Sequence, residues 1–278
     1  MKTIVITGAS DGIGAYSAKQ LKELGNKVII VGRNKEKTIK VATDLNCPYY
    51  VADFANLSDV ESLANELATL PKIDVLVNNA GAVFNDRCET VNGIEKTFQV
   101  NVLASYVLTT KLLDKLIESK ATVIQTSSIA SNFVKKGYDL TDYQNKTAYS
   151  SVKAYAESKL CNVLFTKELN RLYGDKGLNA VAFEPGIPRT NFASEGSWFF
   201  NLAYHSPLKY LFTIPVSKSS KRLTRLALGT PNIDFTNGEF YSYKKTFKLK
   251  RKNLNDLQTK LFAICNELYC DYLNKKGK

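Results

Sequence analysis

Histidine is almost missing from this sequence: His205 is the only one in 278 residues. A Ser-His-Asp triad would have to rest on that one side chain, and a metal site of several histidines is excluded. Proton chemistry therefore falls mainly to Tyr, Lys, Ser, Cys or carboxylates. Cysteine is sparse as well. Cys47, Cys88, Cys161, Cys265 and Cys270 are odd in number and contain no Cys-x-x-Cys. Neither a disulfide framework nor a zinc knuckle is indicated, and the five read as small buried apolar groups. No apolar run reaches the ~20 residues that span a bilayer. The nearest, Trp198 to Val216, is broken by Asn201, His205, Pro207 and Lys209. Met1-Lys2 leads straight into Thr3-Ile4-Val5-Ile6-Thr7, without the core or cleavage site of a signal peptide. The expectation is a cytoplasmic protein.

Acidic residues are scarce in one region only. The net charge is +12, yet residues 1–200 hold 23 basic and 21 acidic side chains, while residues 201–278 hold 15 and 5. The excess belongs to the C-terminal quarter. It reads first as a solvated basic tail and second as a peripheral contact with an anionic membrane. The aromatic interleaving from Phe240 to Lys248 could suit nucleic acid, but it fits a sheet edge at least as well, which argues against that partner.

What is present is a globular composition with a repeating order. Strand-like runs rich in Val and Ile stand at Thr3–Thr7, Lys27–Val31, Pro48–Val51, Ile73–Val77, Thr122–Thr126 and Asn179–Phe183. They are apolar without clean alternation, as strands buried on both faces are. Amphipathic segments lie between them, such as Gly14–Leu24, and Leu57–Leu70 opened by Ser58 as N-cap. This order predicts an α/β fold with a doubly wound parallel sheet. A basic helix from Lys218, a last strand at Glu239–Tyr243, a charge run Lys244–Lys252 and a terminal helix Leu254–Leu273 follow. No repeat or linker divides the chain. One domain, 1–278, is expected: a core at 1–192, a substrate-covering region at 193–230, and the last strand and helix at 231–278.

Thr7-Gly8-Ala9-Ser10-Asp11-Gly12-Ile13-Gly14 joins the first strand to the first helix. Gly8 permits a tight turn, Gly12 leaves room for a phosphate, and Gly14 lets the helix pack closely. The helix start offers N–H groups and partial positive charge to a pyrophosphate. The second strand ends at Val31-Gly32-Arg33-Asn34. An acid there would hold the ribose hydroxyls of NAD. Arg33 can instead hold a 2′-phosphate, which favours NADP(H) over NAD(H), while Asp11 adds repulsion. Asp53, with Phe54 beside it, is placed to touch the adenine edge.

These features join others in order: Asn78-Asn79-Ala80-Gly81, Asn101, Ser127-Ser128, Tyr155-Ala156-Glu157-Ser158-Lys159 and Pro185-Gly186-Ile187. Together they resemble the short-chain dehydrogenase/reductase family. The stretch Ala154 to Thr166 is most similar to its retinol dehydrogenase-like branch. The resemblance covers roughly residues 1–192. It implies a Rossmann fold, a Tyr155/Lys159 acid–base pair, Ser128 orienting the substrate (with Ser127 as fallback), and Asn101 holding a water that links Lys159 to solvent. It also implies that Asn79, Ala80 and Gly81 line the adenosine side of the cleft. The Pro185-Gly186-Ile187 backbone and the Thr190 hydroxyl would meet the carboxamide and phosphates. Family members are often homodimers or homotetramers.

Tyr149/Lys153 competes with Tyr155/Lys159, because both have the i,i+4 spacing of one helix face. Ser158 before Lys159, and the tail Leu160 to Thr166, favour Tyr155. Trp198, Phe199, Phe200, Leu202, Tyr204, Tyr210, Leu211 and Phe212 suggest an apolar cover and a hydrophobic carbonyl or alcohol substrate. The rival reading is a protein that keeps the cofactor site without catalysis.

Overall fold

The computed structural model describes residues 1–186, 214–249, 251 and 253–277. The Val/Ile runs form strands because each is covered on both sides. Ile4 and Ile6 of β1 (Thr3–Thr7) face one layer of helices, and Val5 faces the other. β2 (Lys27–Gly32), β3 (Tyr49–Val51), β4 (Val75–Asn78), β5 (Thr122–Thr126), β6 (Asn179–Glu184), β7 (Phe240–Ser242) and β8 (Lys245–Thr246) complete the sheet. Its order is β3-β2-β1-β4-β5-β6-β7-β8, parallel except for the antiparallel β8. Helices α1 (Gly12–Glu23) and α2 (Lys35–Leu45) cover one face. Helices α3 (Leu57–Ala68), α4 (Lys96–Phe98), α5 (Ala104–Lys111), α6 (Leu113–Glu118) and α7 (Ser151–Tyr173) belong to the other. α8 (Val216–Leu228) joins α1, while α9 (Leu254–Lys276) joins α7. The strand order reverses beside β1 and β4, and that reversal opens a crevice at the strands' C-terminal ends.

Several local expectations shift. The N-cap of α3 is Asn56, whose Oδ1 accepts the Ser58 N–H at 3.1 Å; Ser58 lies inside the helix. Tyr149 stands off α7, because Ser150 is extended and the helix begins at Ser151. Tyr149 and Lys153 therefore do not share a helix face. The last strand is only Phe240–Ser242, since Tyr243 turns the chain at φ +57°. The charge run that follows contains β8, and the terminal helix extends to Lys276. Cys47, Cys161 and Cys265 are buried, but Cys88 and Cys270 are exposed.

Candidate active site

The glycine turn at the end of β1 takes φ +65° at Gly8 and +55° at Gly12, which side-chain-bearing residues rarely adopt. A Cβ on Gly14 would stand 2.8 Å from the Ala9 Cα, so α1 starts hard against the turn. Asp11 caps α1 by accepting the Gly12 N–H at 2.7 Å. No group among the described residues accepts the N–H of Ile13 or Gly14. These orphan donors at a helix start fit a pyrophosphate. Asn79 braces the turn. Its Nδ2 donates to the carbonyls of Thr7 (3.0 Å) and Gly8 (3.3 Å), and its Oδ1 accepts from Thr126 Oγ1 at 3.3 Å. The Thr7 hydroxyl accepts from the Asn79 and Ala80 N–H groups, both at 3.0 Å. Asn79 is thus a strut between β1, β4 and β5, and the part played by Thr7 was not foreseen.

At the end of β2, a Cβ on Gly32 would collide with Ser10, 2.7 Å from its Cβ, and with Thr38. An acidic side chain has no room there. Arg33 is exposed beside Asn34, the N-cap of α2. Asp11 does not stand as a bare repulsive charge, because Lys37 Nζ lies 3.2 Å from its Oδ2. Asp53 is half-buried and accepts the Ala55 N–H at 3.0 Å. The Phe54 side chain is buried in the core, and its carbonyl accepts from Gln99 Nε2 at 3.3 Å.

The other end of the crevice gathers around α7. Lys159 is buried, and its ammonium donates to the Thr126 carbonyl at 3.0 Å. Asn162 donates to the same oxygen at 3.1 Å. Burial alone pushes the Lys159 ammonium down to about 8. Its Nζ lies 5.5 Å from the centre of the Tyr155 ring. Asn101 sits in a π turn, Gln99–Leu103. Its Oδ1 accepts the Ala82 N–H at 2.9 Å, and its Nδ2 donates to the Ala82 carbonyl and to Ser158 Oγ, both at 3.0 Å. Ser158 Oγ in turn donates to the Tyr155 carbonyl at 2.7 Å. Asn101 therefore ties the segment after β4 to α7, and both of its amide hydrogens are used. Gly81 packs against this group: a Cβ on it would stand 3.0 Å from Asn101 Oδ1 and 3.3 Å from Lys159 Nζ.

The two serines separate clearly. Ser127 is buried, and its hydroxyl donates to the Lys159 carbonyl at 2.7 Å. Ser128 is half-buried and caps the 3-10 turn Ile129–Phe133, its Oγ accepting the Ala130 N–H at 3.2 Å. Tyr149 is engaged elsewhere, donating to the Phe84 carbonyl at 2.7 Å. After β6, Gly186 adopts φ +83° and its N–H donates to Glu184 Oε2 at 2.6 Å. The buried Glu184 carboxylate also accepts from Ser242 Oγ at 2.7 Å and from Arg222 of α8. Nothing in the local sequence marks Glu184. Ile187, Thr190, His205 and the expected apolar cover, Trp198 to Phe212, lie outside the described residues.

The sequence pattern described as short chain dehydrogenase matches residues 2–197. The chain belongs to the short-chain dehydrogenase/reductase family. Human polyprenol dehydrogenase is 31% identical, over 96% of this chain and 84% of that protein. Human retinol dehydrogenase 13 is 30% identical, over 94% of this chain and 82% of that protein. These relatives place this short-chain dehydrogenase in the retinol dehydrogenase-like branch. An uncharacterised protein from Mycobacterium paratuberculosis superposes with a TM-score of 0.76 at 27% identity, covering 96% and 93% of the two chains. This family member is thus an oxidoreductase of alcohol and carbonyl groups that uses a nicotinamide cofactor.

Proposed function

We propose that this protein is an NADP(H)-dependent oxidoreductase acting on a hydrophobic carbonyl or alcohol, with Tyr155 as general acid and base. The observation that carries this reading is the buried Lys159, which meets no carboxylate among the described residues and stands beside Tyr155. A tyrosine hydroxyl at its ordinary value near ~10 is a poor acid–base group at neutral pH. A neighbouring ammonium stabilises the phenolate and brings that value down. Tyr155 then gives its proton to the carbonyl oxygen in reduction and takes it back in oxidation. The bound nicotinamide supplies or accepts the hydride. Ser128, whose hydroxyl is less buried than that of Ser127, orients the substrate oxygen.

Preference for NADP rests on Gly32 and Arg33. The crowding at Gly32 keeps a carboxylate away from the ribose, and the exposed Arg33 offers a planar cation to a 2′-phosphate. The two human relatives are named for polyprenol and retinol, which are hydrophobic alcohols. That agrees with the aromatic run from Trp198 to Phe212 in the sequence.

The test is a screen of aldehydes and ketones with NADPH, followed by nicotinamide absorbance. Turnover should vanish with Tyr155→Phe and persist with Tyr149→Phe. Silence with every carbonyl despite measurable NADPH binding, or the reverse mutant pattern, would sink this reading.

A further inference from the structure

The start of α9 borders a cleft of about 960 Å³. Its walls are the last turns of α7, the chain entering β7 and the first turns of α9. Lys167 and Asn170 line it from α7. They follow Lys159 on that helix by ~12 Å and ~16 Å, at 1.5 Å per residue, so the cleft is separate from the catalytic group. α9 begins without a side-chain cap, and no described residue accepts the N–H groups of Leu254, Asn255 or Asp256. These are the orphan donors of a 23-residue helix, with the positive end of its dipole behind them.

Gln258 points to a ligand independently. It lines the same cleft, is only 5% exposed, and hydrogen-bonds no described residue. A buried carboxamide left without partners costs stability. A helical side chain lies over the turn before its own Cα, so the Gln258 amide stands over Leu254 and Asn255, beside their free N–H groups. The other charges of the cleft are largely answered. Lys167 Nζ lies 3.6 Å from Glu239 Oε1, and Arg171 holds the buried Glu168 at 2.6 and 2.9 Å. Among the described residues, Lys260 makes no ion pair and is exposed on α9. The exposed Asp256 is the one opposing acid, and Lys260, one turn later on the same helix, offsets its charge.

We propose that the start of α9 binds a phosphate group, held by the Leu254, Asn255 and Asp256 N–H groups, the Gln258 amide and the Lys260 ammonium. Donors dominate this set. Three backbone N–H groups, the two hydrogens of a carboxamide and an ammonium suit an oxyanion, whereas a metal cation would need acceptors. Inorganic phosphate, a soluble phosphate ester and a lipid headgroup all present the same oxygens. The site gives the basic C-terminal quarter a task that hydride transfer does not use, and it stands or falls independently of the Tyr155 mechanism.

The test is an NMR titration of the full, isotopically labelled chain with inorganic phosphate at constant ionic strength. Saturating NADP⁺ keeps the glycine turn occupied. The amide signals of Leu254, Asn255 and Asp256 and the Gln258 side-chain amide should move together and saturate in the millimolar range, while chloride leaves them in place. Gln258→Leu removes an unpaired buried amide, so it should melt no lower than wild type. It should weaken phosphate binding about tenfold, the weight of one hydrogen bond to a charged group. Signals that stay still, that move equally with chloride, or that titrate undiminished in Gln258→Leu each overturn the proposal. Should Gln258→Leu fold poorly, the exposed Lys260→Gln decides: a loss of about threefold is expected, and an unchanged affinity overturns the site. Sedimentation with phosphatidic acid vesicles, against phosphatidylcholine, separates the sources. Pelleting that free phosphate competes away and Gln258→Leu abolishes assigns the phosphate to a lipid headgroup. A chain that titrates with phosphate yet stays in the supernatant takes it from a soluble molecule.

Discussion

At the scale of single residues, adjacent side chains of one type carry different tasks. Ser127 and Ser128 differ by one position at the end of β5, and a strand alternates its faces. Ser127 turns inward to the Lys159 carbonyl, whereas Ser128 remains half-buried at the crevice. Ser128→Ala should therefore lower kcat by about 10²–10³, the usual loss for one preorganised donor at a developing oxyanion. Ser127→Ala should act on stability instead, costing about 1 kcal/mol for one buried hydrogen bond, with a much smaller loss of kcat. Single-turnover rates and melting curves on both variants check the split. Lys159 makes a second prediction. Burial holds it at about 8, so its ammonium is present below that pH and fades above it. The reductive rate at saturating NADPH should fall as pH rises through about 8. Lys159→Met should be slow at every pH and lack that limb.

At the scale of elements, buried carboxylates fasten the pieces that frame the crevice. Glu61 of α3 is buried and accepts from Tyr269 (2.6 Å), Tyr272 (3.1 Å) and Lys276 (2.6 Å), all on α9. Burial would raise its carboxyl, but the hydrogen bonds from Lys276, Tyr269 and Tyr272 outweigh that and hold it below the usual value. A depressed carboxyl contributes stability above its unfolded value near ~4.3 and loses it as pH falls through the folded value. Glu61→Gln should thus melt below wild type at pH 7, and the gap should narrow below about pH 4. A constant gap across that range would count against the clamp. Glu184 plays a similar part between β6, α8 and β7. The helices and strands were legible because their apolar spacing is local. These clamps were not, since Glu61 and Tyr269 are 208 residues apart and no spacing in the sequence links them. Tyr149 shows the same limit. Its i,i+4 spacing to Lys153 is sound, yet the helix starts two residues later, where Ser150 leaves the helical conformation.

At the scale of the molecule, the basic C-terminal quarter is partly a set of fasteners. Arg222 reaches Glu184, Lys276 reaches Glu61, and Arg225 donates to the Tyr243 carbonyl at 2.7 Å. Arg251 donates to the Val134 carbonyl at 2.7 Å and to those of Lys135 and Lys136. The charge count located this excess, but Glu184, Glu61 and the Val134 carbonyl lie in the body, and only folding brings them to these cations. The same quarter also covers apolar surface of the body. α9 lies across α5 and α7, with Phe262 edge-on to Tyr106 at 5.0 Å and 6.3 Å from Phe165. Leu257, Leu261 and Cys265 are buried beneath it. Part of the apolar face of α5 and α7 is therefore covered by the chain itself. Removing residues 254–278 should uncover that face, and exposed apolar patches of this kind associate. The shortened protein should bind more ANS and self-associate in light scattering at concentrations where the intact chain keeps its native size. A shortened chain that scatters and binds dye like the intact one would mean that α9 covers no adhesive surface.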